Sequence, residues 1–254
     1  MSAHRFFLTG ALVRDGERML PLSEADAHHA VDVLRVRVGE VIDVVEPDSR
    51  VWRVRVAQTG PAGVWATVLE ELSVAAQPHV TLFQGVAKGE KMDAIVRQAV
   101  EIGAEQIVPV LTSRSVVQLD ARKRAQRTER WRRVAEAAAK QAKRTAIPHV
   151  ADAVKLRDVI ALLADFDGAV VLWEECAGPS VEAAVTRCAA EPGARIALVV
   201  GPEGGLSAEE VDALGAVGAI PATLGPTILR TETAAVVALA LALSALGGLG
   251  RGCE

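Results

Sequence analysis

Apolar and polar residues alternate along the first part of the chain in the rhythm of β-strands. The runs V-I-D-V-V from Val41 and V-W-R-V-R-V from Val51 flank a Pro-Asp turn and predict two antiparallel strands. A third strand is expected at 64–69. Because short strands fill most of residues 1–72, this part of the chain predicts a small β-barrel.

One helix interrupts these strands. The stretch S-E-A-D-A-H-H-A-V-D-V-L-R runs from Ser23 to Arg35 and predicts a helix with Ser23 as its N-cap and Asp26 at the capping-box position. His28 and His29 lie within it. For these two histidines, packing or solvation is a better interpretation than catalysis, and an RNA contact stays open.

A different pattern begins at His79, where short apolar runs alternate with amphipathic helices. The predicted strands are 79–85, 107–111, 168–173, 196–200 and 220–224. The first helix begins at Lys91 and is closed by Gly103. Alternating strands and helices indicate an α/β fold with a mostly parallel sheet. With 72–78 as a linker, we expect one domain at 1–72 and a second at 78–254.

Composition limits the function classes. The 254 residues are 50% hydrophobic and carry a formal net charge of −4, with four Phe, four Trp and no Tyr. These values argue against a generic nucleic-acid binder that uses an aromatic stacking platform. The three cysteines fit no zinc or disulfide spacing, so we expect no metal site and a cytoplasmic location.

An apolar helix is predicted at 234–246 near the end of the chain. It is shorter than the roughly 20 residues that a membrane span needs, so no membrane association is expected. A core helix and a subunit-interface helix both remain open as interpretations.

Positive charge is concentrated in one segment. From Arg114 to Arg144 there are eleven Lys or Arg residues and three acidic residues, within a chain that is acidic as a whole. Its apolar positions follow helical spacing: Trp131, Val134, Ala135, Ala138 and Ala142. A solvated helix face is the ordinary interpretation of such a run, but the local surplus of charge favours a phosphate-binding surface.

Two loops follow the predicted strands 196–200 and 220–224. The first contains G-P-E-G-G-L-S at 201–207, and the second L-G-P-T-I-L-R-T-E-T-A at 224–234. In an open α/β sheet, ligands bind at such strand ends. Neither loop matches a dinucleotide fingerprint or a P-loop. The first loop alone is weak evidence, since it could be a turn before a helix capped by Ser207.

Together, the two loops resemble the signature of the SPOUT-class RNA methyltransferases, specifically the family that methylates N3 of a uridine in 16S ribosomal RNA. The similarity continues through R-F-F at 5–7, the histidine-containing stretch at 28–40, K-G-E-K-M-D-A-I-V-R at 88–97 and R-W-R-R-V-A-E at 130–136. Three residues depart from the family pattern. Lys140 replaces a usual Glu, Ala142 a usual Ser and Thr227 a usual Arg, while Gln141 and Arg144 are retained.

This resemblance implies a trefoil knot in the C-terminal domain, a PUA-like N-terminal barrel and a homodimer. It also implies S-adenosylmethionine as cofactor and 16S ribosomal RNA of the small subunit as partner. The cofactor-binding residues expected from it are Leu172, Trp173, Val200, Gly201, Glu203, Gly204, Gly205, Leu224, Gly225, Ile228, Leu229, Arg230 and Thr233. The expected RNA-binding residues are Arg35, Arg114, Arg122, Lys123, Arg124, Arg132 and Arg144.

Arg230 is the expected catalytic residue that steadies the uracil anion or a nearby phosphate; the alternative is a salt bridge to Glu203 or Glu232. Either of these glutamates could help to deprotonate N3 or offset the sulfonium charge, and the sequence does not choose between them. Thr231 and Thr233 could contact substrate or cofactor, or cap the following helix.

Two other functions stay open at this point. The chain could be a related knotted methyltransferase that acts on a ribose 2′-hydroxyl. It could also be an RNA-binding ribosome assembly factor without catalysis, an alternative that the altered residues at 140 and 142 keep open.

Overall fold

The computed structural model describes residues 4–115, 121–189, 191 and 193–249. It divides into two compact units. Unit 1 contains the described residues up to Ala76 together with Ala139–Ile147, and unit 2 contains the remaining described residues. The division at residue 76 falls in the expected linker. The 139–147 segment, from the end of the basic region, was assigned to the second domain on sequence.

Unit 1 is built on a five-stranded sheet. Its strands are β1 (Arg5–Phe7), β2 (Arg18–Met19), β3 (Val41–Val45), β4 (Val51–Gly60) and β5 (Gly63–Leu72). Their order is β1-β3-β4-β5-β2; β1 runs parallel to β3 and the other neighbours are antiparallel. Just past the two edge strands, Leu8 and Leu22 pair in an isolated antiparallel bridge. Phe6, Ile42 and Val54 are buried in its core.

The predicted helix of unit 1 has two parts. Helix α1 (Glu24–His28) is followed directly by a π-helical turn, His29–Val33. Ser23 caps α1 as expected, since its Oγ accepts a 3.1 Å hydrogen bond from the Asp26 amide. The prediction of one uniform helix to Arg35 was wrong. The Val36 amide reaches back to the Ala30 carbonyl, so this wider turn buries both side chains.

Unit 2 contains a parallel sheet of seven strands. They are β6 (His79–Gly85), β7 (Gln106–Leu111), β8 (His149–Val150), β9 (Val154–Lys155), β10 (Gly168–Leu172), β11 (Arg195–Val200) and β12 (Ile220–Ala222). The order is β12-β10-β11-β6-β7-β8, with β9 also pairing with β7. Every pairing is parallel, which confirms the predicted α/β class.

Helices connect and cover these strands. They are α2 (Lys91–Ile102), α3 (Ala121–Gln141), α4 (Leu156–Leu162) with a 3-10 turn (Leu163–Asp165), α5 (Val181–Cys188), α6 (Ala208–Gly215) and α7 (Thr231–Ala245). Gly103 ends α2 with φ 133°, a value that favours glycine. Helix α7 packs against α2, α5, β6 and β11. None of the described helices is long and apolar enough to cross a membrane.

The basic helix is shorter than the charged segment. Helix α3 begins at Ala121, so Arg114 lies outside it, in a turn after β7, and residues 116–120 are outside the described residues. Trp131, Ala135 and Ala138 are buried, as the predicted apolar stripe requires. Arg132 and its charged neighbours cover the other faces.

Candidate functional site

The main cavity of unit 2 opens at the carboxyl ends of three adjacent strands. Its volume is about 680 Å³, and its walls include Leu172 at the end of β10, Val200 at the end of β11 and Ala222 at the end of β12. β10 lies between the other two strands, with Leu172 in register with Ala222. Parallel strands bring their carboxyl ends to one edge, so the loops that follow them meet there.

The loop after β11 approaches its neighbours very closely. Gly205 has φ +68°, and a Cβ atom on it would lie 2.5 Å from Oε1 of Glu174. At Gly201 a Cβ would lie 2.8 Å from the Gly205 carbonyl carbon. Ser207 then caps α6 with the predicted capping box, completed by the Glu210 carboxylate. Glycine is therefore required at 205 by both backbone conformation and space.

The loop after β12 forms the opposite wall. Thr223 Oγ1 accepts a 3.1 Å hydrogen bond from the Gly225 amide, and Gly225 has φ +105°. This turn ends β12 at Ala222, two residues earlier than predicted. Ile228 also lines the cavity, and its side chain is 83% exposed.

A buried hydrogen-bond cluster joins both loops to the end of β6. Thr231, the first residue of α7, donates from Oγ1 to the Gly201 carbonyl at 2.6 Å. The same Oγ1 accepts a 3.1 Å hydrogen bond from Nε2 of Gln84, a residue with no exposed surface. The hydroxyl of Thr231 thus holds the loops together, and the N-cap position of α7 belongs to Arg230.

Charged groups surround the mouth of the cavity. Lys91 Nζ lies 3.3 Å from Oε2 of Glu232 and 3.7 Å from Oε1 of Glu203. The Lys88 amide also donates to Glu203, at 3.0 Å. The pKa of the Glu232 carboxyl is lowered because its own backbone N–H donates to it and because Lys91 and Arg230 are positively charged neighbours.

Arg230 is exposed at the cavity mouth. Among the described residues it makes no ion pair, so the alternative of a salt bridge to Glu203 or Glu232 is not what the structure adopts. Both glutamates pair with Lys91 instead. An arginine that no carboxylate neutralises can receive an anionic or polar ligand group.

Most of the predicted cofactor residues come together here. The cavity is lined by Leu172, Trp173, Val200, Gly201, Glu203, Gly205, Leu224, Gly225, Ile228, Leu229 and Arg230. Gly204 and Thr233 are not among its lining residues. Sequence reasoning missed Lys91, Cys176 and Gly178 as lining residues. The signal for Lys91 was its place at the start of a helix that follows a strand end.

The predicted RNA-binding arginines have different surroundings. Arg114 donates from Nη1 to the carbonyls of Gly204 (3.1 Å) and Leu206 (3.2 Å), so it braces the loop after β11. Arg132 donates to the Val150 carbonyl at 3.0 Å and pairs with Asp152.

The other predicted RNA-binding residues are either exposed or half-buried. Arg122 and Lys123 are exposed on α3, while Arg124 is half-buried. In unit 1, Arg35 is exposed and Arg144 is half-buried.

Lys140 has a specific partner in unit 1. Its Nζ lies 2.6 Å from Oδ1 of Asp26, a residue that is almost fully buried. The second carboxylate oxygen of Asp26 accepts a 2.8 Å hydrogen bond from Ser23. The lysine that stands where the related family usually has Glu therefore neutralises a buried carboxylate.

Comparison with known proteins identifies the chain. The family model described as RNA methyltransferase domain matches residues 75–243, and that described as RNA methyltransferase PUA domain matches 22–69. The chain belongs to the RNA methyltransferase family. One relative is ribosomal RNA small subunit methyltransferase E of Bacillus subtilis. It is 32% identical to this chain, and the match covers 84% of this chain and 85% of the relative. The protein of that name from Mycobacterium bovis is 36% identical over 84% of this chain and 82% of its own.

Solved structures agree with this assignment. One is ribosomal RNA small subunit methyltransferase E from Neisseria gonorrhoeae, bound to S-adenosyl methionine. It superposes on this chain with a TM-score of 0.80 and is 27% identical in sequence. The match covers 94% of this chain and 95% of the Neisseria chain. A Legionella pneumophila protein in complex with the cofactor SAM superposes with a TM-score of 0.82 at 27% sequence identity. The match covers 96% of this chain and 98% of the Legionella chain. Within the described ranges, no group of three or more His, Cys, Asp or Glu side chains is placed to hold a metal ion.

Proposed function

We propose that this protein transfers a methyl group from S-adenosylmethionine to N3 of a specific uridine in 16S ribosomal RNA, in the assembled small subunit. The observation that carries the proposal is the cavity at the ends of β10, β11 and β12, with the unneutralised Arg230 at its mouth. Relatives named ribosomal RNA small subunit methyltransferase E support the substrate class.

The cavity suits S-adenosylmethionine. Its volume of about 680 Å³ lies inside the range of roughly 300–1,000 Å³ of small-molecule sites, which combine apolar walls with a few polar groups. Leu172, Leu224 and Leu229 offer apolar surface for an adenine ring. Gly225 has open space around the position of a Cβ atom, so its backbone is accessible to a ligand.

Each residue at the mouth has a distinct part in the proposed reaction. When bound, S-adenosylmethionine supplies an electrophilic methyl group on a positively charged sulfur. Uridine N3 is a weak acid and must leave base pairing before it can enter. Arg230 stabilises the negative charge that the uracil acquires when N3 gives up its proton. N3 then forms one bond to the methyl carbon as the sulfur–carbon bond breaks.

The lost proton goes to Glu203, Glu232 or solvent. The lowered pKa of Glu232 makes that carboxylate a weak base, which favours Glu203 or solvent as the acceptor. Glu203 lines the cavity and can also offset the positive sulfur, whereas Glu232 lies beside it and pairs with the lining residue Lys91. Thr233 is not among the residues that line the cavity, so we assign it no contact with the cofactor.

RNA is held, in this proposal, by the basic surface and the N-terminal domain. Arg122 and Lys123 on α3 and Arg35 in unit 1 are exposed and contact phosphates, with Arg114, Arg124, Arg132 and Arg144 contributing charge nearby in sequence. Residues 1–72 form the PUA-like barrel, and the bridge between Leu8 and Leu22 supports its closure. Residues 78–254 form the catalytic domain.

A trefoil knot and a homodimer complete the proposal. The support for the knot is the tight crossing in which Thr231 and Gln84 hold Gly201, while the Thr223 amide donates to the Pro179 carbonyl. The support for a dimer is α7, whose apolar residues extend beyond its buried face. The working location is the cytoplasm, where ribosomal subunits assemble.

Incubation of the protein with radiolabelled S-adenosylmethionine and small subunits that lack the modification tests this function. Label in N3-methyluridine at a single position is the expected result. Label on a ribose would replace the proposal with the 2′-hydroxyl methyltransferase. Cofactor binding measured in parallel would separate a wrong RNA substrate from the non-catalytic assembly factor, which binds no cofactor.

A further inference from the structure

The charges at the cavity mouth come from three separate parts of unit 2. Lys91 begins α2, Glu203 lies in the loop after β11, and Arg230 and Glu232 adjoin the start of α7. The side chains of Glu203 and Glu232 are 25% and 23% exposed, so both carboxylates are partly withdrawn from water. Such carboxylates need a nearby cation.

Lys91 is well placed to be that cation for both carboxylates. The residues that follow it, Met92, Ile95 and Val96, have no exposed surface, so α2 is firmly anchored in the core. The Lys88 amide, just before α2, fixes Glu203 from the same side. Helix α2 therefore places Lys91 between the loop after β11, which carries Glu203, and the start of α7, which carries Glu232.

Arg230 is the competing cation. Glu232 lies two residues along the chain, and the charge of Arg230 is the smallest of the causes that lower the pKa of its carboxyl, after its own backbone N–H and Lys91. If the lysine charge were removed, Arg230 would remain as a positively charged neighbour of the half-buried and now unbalanced Glu232. An arginine–carboxylate pair would then form, because the guanidinium fork matches a carboxylate.

We propose that Lys91 is a positioning residue that pairs with Glu203 and Glu232 and so keeps the Arg230 guanidinium available for the anionic uracil. This inference rests on the proposed methyl transfer to N3. It assigns the lysine no contact with the reacting atoms. It also explains why the two carboxylates of Glu203 and Glu232 do not neutralise Arg230.

The kinetic test compares wild type, K91M, K91R, E232Q and the double variant K91M/E232Q. We expect K91M to lower kcat about tenfold or more. The dissociation constant of S-adenosylmethionine, measured by calorimetry, should change less than about threefold. K91R should keep most of the activity. The double variant should regain most of what K91M lost, since the carboxylate that captures Arg230 is gone.

A second readout needs no reaction. Phenylglyoxal modifies accessible arginines, and mass spectrometry can follow Arg230 and, as a control, the exposed Arg157 of α4. In K91M the labelling of Arg230 should slow at least threefold, by an order-of-magnitude estimate for a newly formed ion pair, and it should recover in K91M/E232Q. Arg157 should label equally in all variants.

These outcomes separate the two proposals. Equal labelling of Arg230 in wild type and K91M, or a double variant no more active than K91M, would overturn the role of Lys91. If wild type transferred no methyl group to uridine, the proposed function would fail, while the labelling would still report whether the lysine keeps Arg230 unpaired.

Discussion

Thr231 Oγ1 lies 2.6 Å from the carbonyl oxygen of Gly201, thirty residues earlier in the chain, and donates a hydrogen bond to it. This bond connects the start of α7 with the loop after β11. Because Nε2 of Gln84 donates to the same hydroxyl, the end of β6 is part of the same arrangement. The cavity thus depends on a buried polar cluster beneath its walls.

Substitution of Thr231 by Val removes that hydroxyl but keeps the shape of the side chain. The buried Gly201 carbonyl and the Gln84 amide would each lose a partner, which we expect to lower the free energy of unfolding by about 1–3 kcal/mol. Urea denaturation measures the change. Thr233→Val, at an exposed position of the same helix, is the matched control and should shift stability by less than about 0.5 kcal/mol. Equal effects of the two variants would contradict the role of the cluster.

Gly205→Ala tests the close approach of two loops. The new methyl group would meet the Glu174 carboxylate, and the left-handed backbone conformation alone costs an alanine about 1–2 kcal/mol. We expect lower stability and weaker binding of S-adenosylmethionine, measured by thermal denaturation and calorimetry. In Gly205→Ala/Glu174→Ala the collision is gone and only the backbone strain remains, so stability should recover in part.

The control for that experiment is Gly215→Ala. Gly215 ends α6 with open space around the position of a Cβ atom, so this variant should be neutral or slightly stabilised. If it lost as much stability as Gly205→Ala, the loss would reflect glycine replacement in general and not the crowding beside Glu174.

Alkylation of cysteines should depend on the cavity. Burial raises the pKa of the Cys188 thiol, whose ordinary value is 9.0, so less of the reactive thiolate is present at pH 8. Cys176 lines the cavity. We expect iodoacetamide to modify Cys176 before Cys188, and saturating S-adenosylmethionine to protect Cys176 but not Cys188. Peptide mass spectrometry gives both rates. Protection of Cys188 by the cofactor, or of neither cysteine, would argue against cofactor binding at this site.

Salt dependence should reveal the RNA surface. Arg122 is exposed on α3, and its replacement by Ala should remove about one phosphate contact and reduce the slope of log K against log salt by roughly 0.9. Fluorescence anisotropy with small-subunit RNA at several salt concentrations measures the slope. Arg157→Ala on α4 is the control, since that arginine is also exposed but lies outside the basic segment. Identical slopes for both variants would rule out the α3 surface as the phosphate contact.

Many of the elements could be predicted from the sequence because their causes are local. The apolar runs that became β6, β10 and β11 have the period and length of buried strands, and Ser23 and Ser207 cap their helices as their spacing predicts. The prediction failed at the π-helical turn after α1, where a hydrogen bond between Val36 and Ala30 depends on core packing and not on local preference.

The glycine- and proline-bearing loops could also be placed at strand ends from sequence, and most of the residues expected to bind cofactor do line one cavity. Which charged groups pair with each other was beyond that reasoning. Glu203 and Glu232 were considered as partners of Arg230, yet both lie beside Lys91. A local pattern carries no information about a lysine more than a hundred residues away.

The sequence by itself therefore determined the α/β class, most of the longer strands and helices in their order along the chain, and the two loops that line the cavity. Only the tertiary structure decided the order of strands in the sheets, the pairing of Lys140 with Asp26, and the bond from Thr231 to Gly201. The physical reason is that helices, strands and turns follow from neighbouring residues, whereas ion pairs and buried hydrogen bonds depend on which distant segments the packed core brings together.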